Sequence, residues 1–146
     1  MKVQGSIDIA APPEKIWPFL VQPSNMMKWC HTFQKCEFAG AQHSGVGMPF
    51  YVEEKAGGPL MKINFKVAEW EENRKLALKM SSGTFLKGYD QWWTIEPQPS
   101  GSRFNFTEDV KMPWGIIGRL IGWFGRSGSE KHVKQMLATL KSLAEA

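Results

Sequence analysis

The first third of the chain switches from strand-like to helix-like spacing of hydrophobic residues. In "SIDIA", Ile7 and Ile9 alternate with polar neighbours, which is the period of a strand. The next segment, "APPEKIWPFL", places Pro12 and Pro13 where a helix can start. "QPSNMMKW" then predicts a second short helix or helical turn, so the opening predicts one strand followed by two short helices.

The middle of the chain alternates with a period of two, which is typical of antiparallel strands with one buried face. The candidate strands are "FQKCEFAG", "GVGMPFYVEE", "LMKINFKVAEW", "KLALKM", "FLKGYDQWWTIEP" and "SRFNFTEDVKM". The clearest of them sets Met61, Ile63, Phe65 and Val67 against polar residues. "AGAQHSG", "EENR" and "PQPSG" are the turns that join successive pairs.

After Met112 the hydrophobic spacing becomes helical and continues to the C-terminus. The apolar positions are Trp114, Ile117, Ile121, Phe124, Val133, Leu137, Leu140 and Ala144. The order of elements therefore predicts an α+β fold in which a long amphipathic helix packs on a large curved antiparallel sheet. Such a sheet leaves space beneath the helix for a ligand cavity. The length predicts a single domain over residues 1–146.

Glycines interrupt the first part of this helix at Gly115, Gly118, Gly122 and Gly125. Each interior glycine costs roughly 1 kcal/mol of helix stability relative to alanine. Because "SGSE" matches a capping box, we expect the helix to begin or restart near Ser127. The glycine-rich turns before Ser127 then act as a lid over the cavity. If they do, Gly118→Ala combined with Gly122→Ala should slow ligand exchange. The alternative is that these turns are only a loose, irregular entry to the helix.

Composition and charge narrow the classes of partner. Seven Trp, nine Phe and eight Met suit a core and also a cavity that adapts to apolar ligands. The net charge of +4 is spread without a Lys/Arg-rich run, so we expect no nucleic-acid partner, while transient contact with an anionic membrane surface stays open. The sequence has no signal-like or membrane-spanning segment, so we expect a cytoplasmic protein. Cys30 and Cys36 are then interpreted as reduced thiols, with a disulfide between them as the alternative.

Both ends of the chain carry a family resemblance. The opening, "IDIAAPPEKIWPFLVQPSNMMKW", joins a strand, an Ala-Pro step, a Glu-x-x-Trp helix and a second turn ending at Trp29. With "WWTIEPQPSGSRFNF" and "MLATLKSLAEA", it resembles the START-like superfamily, also called SRPBCC or Bet v 1-like, and within it the polyketide cyclase/dehydrase-like group. The resemblance implies a helix-grip fold of about seven strands, two short helices after the first strand and a long C-terminal helix. It does not choose among the carriers, cyclases and hydrolases that share this fold.

The last hairpin can be assigned a register from its apolar residues. A turn around residues 98–101 places Trp93 opposite Phe106 and Gln91 opposite Glu108. The apolar pair must point inward, because a shift of one residue would turn every side chain of the strand to the other face. Gln91 and Glu108 then point inward as well.

By the same parity Tyr89 points inward, with Lys87 at the rim, so a phenol, an amide and a carboxylate meet under the C-terminal helix. This group can anchor a ligand carbonyl or hydroxyl in an apolar cavity. A desolvated Glu108 with a raised pKa can instead act as general acid or base, assisted by Tyr89. A self-satisfied polar network, or a bulge that exposes Glu108, is the remaining alternative.

The expected cavity wall consists of apolar residues that are also core candidates. They are Phe50, Phe65, Met80, Phe85, Trp93, Phe106, Met112, Ile117, Ile121, Phe124 and Met136. Trp92 falls on the opposite face of its strand.

Other reactive residues carry weaker patterns. Cys30 and His31 are adjacent, so in an extended segment they point opposite ways and do not form a nucleophile–base pair. With Cys36 and His43 they lack the paired spacing of a metal site, and we expect no metal. His132 is expected to face solvent.

The glycines of residues 40–47 resemble a phosphate-binding loop only superficially. Val46 stands where such a loop requires lysine, so a hairpin connection is the better interpretation.

The sequence thus predicts binding, transport or sequestration of a hydrophobic small molecule, such as a lipid, isoprenoid or aromatic polyketide, between the sheet and the C-terminal helix. We expect no cofactor, and a monomer or homodimer. One alternative is an enzyme of polyketide cyclase/dehydratase type that uses Glu108 and Tyr89 as acid and base. A second is a membrane- or protein-associated adaptor that inserts the glycine-rich segment around Trp123.

Overall fold

A computed structural model describes the backbone of residues 1–113 and 115–146 and the side chains of residues 1–113 and 128–146. Its elements follow the predicted order. They are β1 (Lys2–Ile9), α1 (Pro13–Val21), α2 (Pro23–Trp29), β2 (Phe33–Phe38), β3 (Pro49–Glu54), β4 (Met61–Glu71), β5 (Lys75–Gly83), β6 (Gly88–Gln98), β7 (Gly101–Lys111) and α3 (Gly115–Glu145).

The strands form one seven-stranded sheet in the order β1-β7-β6-β5-β4-β3-β2. Every neighbouring pair is antiparallel. The sheet curls into a half-barrel, and α1 and α2 connect its two edge strands. The α+β helix-grip fold predicted from the sequence is therefore confirmed.

The register of the last hairpin is the predicted one, because Trp93 pairs with Phe106 and Gln91 pairs with Glu108. The turn is tight at Gly101, whose φ is 145°. A Cβ atom built there would lie 2.2 Å from the carbonyl oxygen of Ile9. Only glycine fits this close approach to the end of β1, so Gly101 determines where β7 starts.

The inner face of the sheet is filled by α2 and by the C-terminal part of α3. The predicted stripe of Val133, Leu137, Leu140 and Ala144 is buried. On α2, Trp29 is fully buried; its ring packs edge-on against Trp93 with centroids 5.1 Å apart. The Nε1 of Trp29 donates a hydrogen bond to the carbonyl oxygen of Phe19 across 2.9 Å, which ties α1, α2 and the sheet together.

The prediction that the last helix begins or restarts near Ser127 is wrong, because α3 runs as one helix from Gly115. Helix propagation adds a hydrogen bond for each residue, whereas a new start leaves four N–H groups without partners. That difference outweighs the capping-box pattern. The predicted lid role of Gly118 and Gly122, and the side chains of Ile117, Ile121, Phe124 and Trp123, lie outside the described residues.

Residues 39–48 connect β2 to β3 as an antiparallel hairpin, which confirms the hairpin interpretation of this glycine-rich segment. Gly45 and Gly47 take φ values of 81° and 89°, where a side chain is rarely tolerated. Over the described residues, no helix combines the length and hydropathy needed to cross a membrane.

Candidate functional site

A cavity of about 670 Å³ lies between the inner face of the sheet, helix α3 and the loop that follows α2. This volume is within the range of small-molecule sites. Most of the described wall is apolar, and includes Phe33, Met61, Leu86, Phe106, Val110, Met112 and Met136. Phe85 also lines the cavity but is 53% exposed, so it lies at the opening.

Tyr89 and Glu108 form the first polar group of the wall. They lie on the neighbouring strands β6 and β7, and the Tyr89 hydroxyl donates a hydrogen bond to Oε2 of Glu108 across 3.1 Å. Burial raises the pKa of Tyr89 well above its usual range, with the Glu108 charge adding to the effect. The phenol therefore keeps its proton and acts as a donor.

Glu54, at the end of β3, is a second carboxylate of the wall that the sequence interpretation missed. It is only 5% exposed, and its Oε2 accepts a hydrogen bond from the Thr32 hydroxyl across 2.6 Å. The signal was present: Phe50, Val52 and Glu54 alternate on one face of β3, just as Phe106 and Glu108 do on β7. The same argument that turned Glu108 inward applies to Glu54.

The two carboxyls influence each other electrostatically. Burial raises the pKa of Glu108 to about 7, with the charge of Glu54 contributing to the rise and the Tyr89 hydrogen bond opposing it. Burial also raises the pKa of Glu54, while hydrogen bonding from Thr32 and from Tyr89 lowers it. Within the described part of the chain, no ion pair involves either carboxylate. Near neutral pH the pair therefore retains proton affinity that a surface carboxylate lacks.

Gln91, on β6, pairs with Glu108 across the β6–β7 ladder and is 2% exposed. Its Oε1 is buried without a hydrogen-bond partner among the described residues, and the same holds for Oε1 of Glu54. Buried polar atoms in native proteins are nearly always paired. Nε2 of His132, a third wall residue, is likewise buried without a partner among the described residues.

His132 lines the cavity from α3 and is half-buried, so the prediction that it faces solvent is wrong. Helix α3 covers the cavity as well as the β1 side of the core, so it has more than one buried side. The imidazole ring of His132 lies 6.2 Å from that of exposed His31, centroid to centroid. Burial lowers the pKa of His132, and His31 lowers it further.

The other predicted wall residues divide into two groups. Phe106, Met112, Phe85 and Met136 line the cavity with Tyr89, Gln91 and Glu108. Phe50, Phe65 and Trp93 are buried behind the wall, and Met80, which is partly exposed, does not line the cavity either.

Two residues behind the wall support Tyr89. Phe50 and Phe65 stack with centroids 5.2 Å apart, and Phe65 meets the Tyr89 ring edge-on at 5.3 Å. Lys87 was expected at the rim of the cavity, but its side chain is exposed and does not line the cavity. The buried side chain of Leu86 lines it instead. The backbone turns through a positive φ of 64° at Phe85, which changes the parity of the residues that follow.

The cysteines are free, as predicted for reduced thiols. Cys30 lines the cavity, but burial raises its pKa well above the usual value, so it stays a protonated thiol rather than a nucleophile. Burial raises the pKa of Cys36 to about 12. Among the side chains that the structure describes, no cluster of His, Cys, Asp and Glu could hold a metal ion.

A curled seven-stranded sheet that grips a long C-terminal helix around a mostly apolar cavity defines a helix-grip protein of the START-like, Bet v 1-like class. Sequence places it more narrowly: the chain belongs to the polyketide cyclase / dehydrase and lipid transport family, whose pattern matches residues 1–145. Family and fold fit a protein that binds a hydrophobic small molecule. No curated protein sequence matches the chain.

Solved structures share the fold at low sequence identity. TTHA0849 from Thermus thermophilus superposes with a TM-score of 0.82 at 17% identity, covering 99% of this chain and 97% of its own. A START superfamily protein from Mycobacterium smegmatis superposes with a TM-score of 0.73 at 16% identity, covering 99% of this chain and 94% of its own. Ara h 8.0201 superposes with a TM-score of 0.67 at 14% identity, covering 99% of this chain and 97% of its own.

Proposed function

We propose that this protein binds an apolar small molecule, such as a lipid, isoprenoid or aromatic polyketide, in the cavity between the sheet and α3. The ligand's apolar body contacts the hydrophobic wall, and its polar end contacts Glu54, Gln91, Tyr89 and Glu108. Burying about 300 Å² of apolar ligand surface yields roughly 7 kcal/mol before the costs of association. Micromolar affinity requires about 8 kcal/mol net, so the polar contacts must contribute as well as the apolar wall.

One observation carries the proposal: a mostly apolar cavity holds two carboxyls in its wall, Glu54 and Glu108, each oriented by a hydrogen bond. A self-satisfied network would pair Oε1 of Glu54 internally, yet this atom has no partner in the described structure. Its carboxylate is held in place by Thr32 through the other oxygen. A carboxylate that is oriented but half-occupied, beside an apolar cavity, is the arrangement expected of a ligand anchor.

Fluorescence titration with 1-hydroxypyrene tests this function. Met136→Trp adds volume to the cavity wall and is expected to weaken binding at least about fivefold, since overpacked sites lose roughly 1–3 kcal/mol. Gln135→Trp adds the same side chain at the adjacent exposed position and should bind as wild type. Val110→Phe, on β7, repeats the test should Met136→Trp fold poorly. Unchanged affinity in folded Met136→Trp and Val110→Phe would exclude the cavity as the site.

Catalysis is the second candidate function, and the pKa of Glu108 near 7 favours it. A carboxyl of that pKa can take and return a proton at neutral pH, and the Tyr89 hydroxyl beside it can donate to a ligand carbonyl if it releases Glu108. The reaction class is proton abstraction next to a carbonyl, the first step of a cyclisation or dehydration.

Deuterium incorporation from D₂O at the methyl group of 2-acetylnaphthalene measures this activity. Catalysis predicts that Glu108→Gln abolishes the exchange while 2-acetylnaphthalene still binds. Exchange no faster than in free solution with the bound compound would exclude this activity for Glu108.

A further inference from the structure

We infer that the protein docks on an anionic membrane through the outer surface around the opening of its cavity. This mouth surface consists of the β3–β4 connection (residues 55–60), the β5–β6 connection (residues 84–87) and Lys111 at the end of β7. The inference rests on the proposed function and names the source of the apolar molecule, a lipid bilayer.

The antiparallel order of the strands collects these segments at one end of the sheet. Strands β3, β5 and β7 run toward this end, and β4 and β6 run away from it. Two backbone hydrogen bonds hold the β5–β6 connection there, from the N–H of Thr84 to the carbonyl of Lys62 and from the N–H of Lys87 to the carbonyl of Lys111. Residues 55–59 are exposed and also line the cavity, so the cavity opens at this end.

Two large apolar side chains of the mouth surface are exposed to solvent. Phe85 is 53% exposed and Leu60 is 40% exposed. Val46 is the third exposed residue of this kind in the described part of the chain, and it lies in the β2–β3 hairpin at the opposite end of the sheet. Exposed apolar side chains are thus concentrated where the cavity opens, which is typical of an interaction surface.

Phe85 also has an unfavourable backbone conformation. Its φ is 64°, in the left-handed region that bulky residues avoid. Such strain is retained where it serves a function. Within the protein the strain is offset only in part, because half of the ring remains in water. Insertion of the ring among lipid headgroups supplies the burial that the fold alone does not.

The β3–β4 connection is accessible to a large flat partner. Gly57 and Gly58 are exposed, and no described atom lies within 4 Å of a Cβ built at either position. A bilayer that approaches the mouth of the cavity can therefore contact this connection and Leu60 at its end.

The charge of the mouth surface complements an anionic bilayer. Lys55, Lys87 and Lys111 are exposed, and none of them forms an ion pair with an acidic residue of the described ranges. Neither connection contains an aspartate or a glutamate. Lysines beside exposed apolar side chains combine attraction to anionic headgroups with insertion between them.

The acidic residues on the adjoining strand positions are compensated by cations. Asp109, two residues before Lys111, lies 3.7 Å from the N-terminal amine. Glu53 pairs with exposed Lys62 across the β3–β4 ladder. The mouth surface therefore keeps a positive charge at neutral pH.

A bilayer fits these features better than a soluble partner because the cavity opens among them. An apolar molecule that passes directly from the bilayer into the cavity does not expose its surface to water. Docking with the opening against the lipid provides that route.

Co-sedimentation with vesicles tests the electrostatic part of the inference. Wild type should bind phosphatidylcholine vesicles that contain about one third phosphatidylglycerol, and bind vesicles of phosphatidylcholine alone more weakly. Lys87→Glu should weaken binding to the anionic vesicles at least about fivefold. Lys79→Glu, at an exposed position of β5, changes the net charge equally and should bind as wild type.

The apolar part is tested by Leu60→Gln, which should weaken vesicle binding at least about threefold. Val46→Gln makes the same kind of change at the opposite end of the sheet and should have no effect. Neither Leu60 nor Lys87 lines the cavity, so both variants should bind 1-hydroxypyrene as wild type does in the absence of vesicles.

Three results would overturn the inference: no binding of wild type to the anionic vesicles, equal binding to phosphatidylcholine alone, or equal losses in Lys79→Glu and Lys87→Glu. Self-association that Leu60→Gln abolishes, without vesicle binding, would also overturn it and would assign the mouth surface to a second copy of the chain. In each case continued binding of 1-hydroxypyrene leaves the cavity function standing. Vesicle binding without 1-hydroxypyrene binding would instead remove the proposed function and support the docking surface.

Discussion

The Tyr89 hydroxyl donates a hydrogen bond to Glu108 across 3.1 Å, from β6 to the neighbouring strand β7. The two residues are diagonal neighbours on the inner face of the sheet, since Glu108 pairs directly with Gln91. This bond fixes the direction of the carboxylate and of the phenol, and Thr32 does the same for Glu54 from the other side. The polar end of the cavity is therefore built before any ligand arrives.

Replacing the carboxyl of Glu108 should change how stability depends on pH. Its pKa rises from 4.5 to about 7 on folding, so the folded protein holds this proton more tightly than the unfolded chain. The contribution of Glu108 to the free energy of unfolding is therefore fully present below about pH 4.5. It decreases as the pH rises to about 7 and is lost above that pH. Glu108→Gln should remove a loss of about 3 kcal/mol across this range of pH.

Urea unfolding at about pH 5 and about pH 8 measures that difference. Glu72→Gln, at an exposed turn position, is the control and should keep the wild-type pH dependence. A Glu108→Gln protein whose stability falls as steeply as that of wild type would show that Glu108 titrates normally.

Glu54→Gln should lower the pKa of Glu108 from about 7 toward 4.5, because the charge of Glu54 is the second cause of the shift after burial. The change is expected to be partial, since burial remains. Carboxyl ¹³C shifts of Glu108 followed by NMR across the pH range give the value directly. Glu53→Gln is the matched control on the same strand; an unmoved Glu108 titration in Glu54→Gln contradicts the coupling.

Two glycines that look equivalent in sequence should respond oppositely to alanine. At Gly101 a Cβ would lie 2.2 Å from the Ile9 carbonyl oxygen, so Gly101→Ala is expected to destabilise by about 3 kcal/mol or more. At Gly128, on α3, nothing lies within 4 Å of a new Cβ. Gly128→Ala should therefore stabilise by about 0.5–1 kcal/mol through helix propensity. Chemical unfolding measures both, and equal effects would contradict the described turn and helix.

The sheet and its register were predictable because hydrophobic alternation is a local signal with a fixed period. Trp93 and Phe106 had to point inward together, and that alone turned Gln91 and Glu108 into the cavity. The same rule was available for Glu54, whose place after Phe50 and Val52 is equally clear in the strand. It was missed because a register was assigned only to the last hairpin, and not to the hairpin that contains β3.

The wall of the cavity was less predictable than the core. Parity places Phe65 inward but does not say whether it lies on the wall or behind it, because that depends on how strongly the sheet curls. His132 lies beside the core stripe of α3, and only the position of the helix over the cavity makes it a wall residue. The length of α3 was misjudged because a local capping pattern at Ser127 competes with cooperative propagation through it.

Intermolecular NOEs between bound 1-hydroxypyrene and the protein's methyl groups test the central claim most directly. Binding in the cavity predicts cross-peaks to Met136, Val110 and Leu86, which line it from α3, β7 and the loop before β6. Val46 and Leu60 are exposed apolar residues absent from the cavity lining, and they report adventitious surface binding. Cross-peaks confined to Val46 or Leu60 would contradict a ligand site between the sheet and α3.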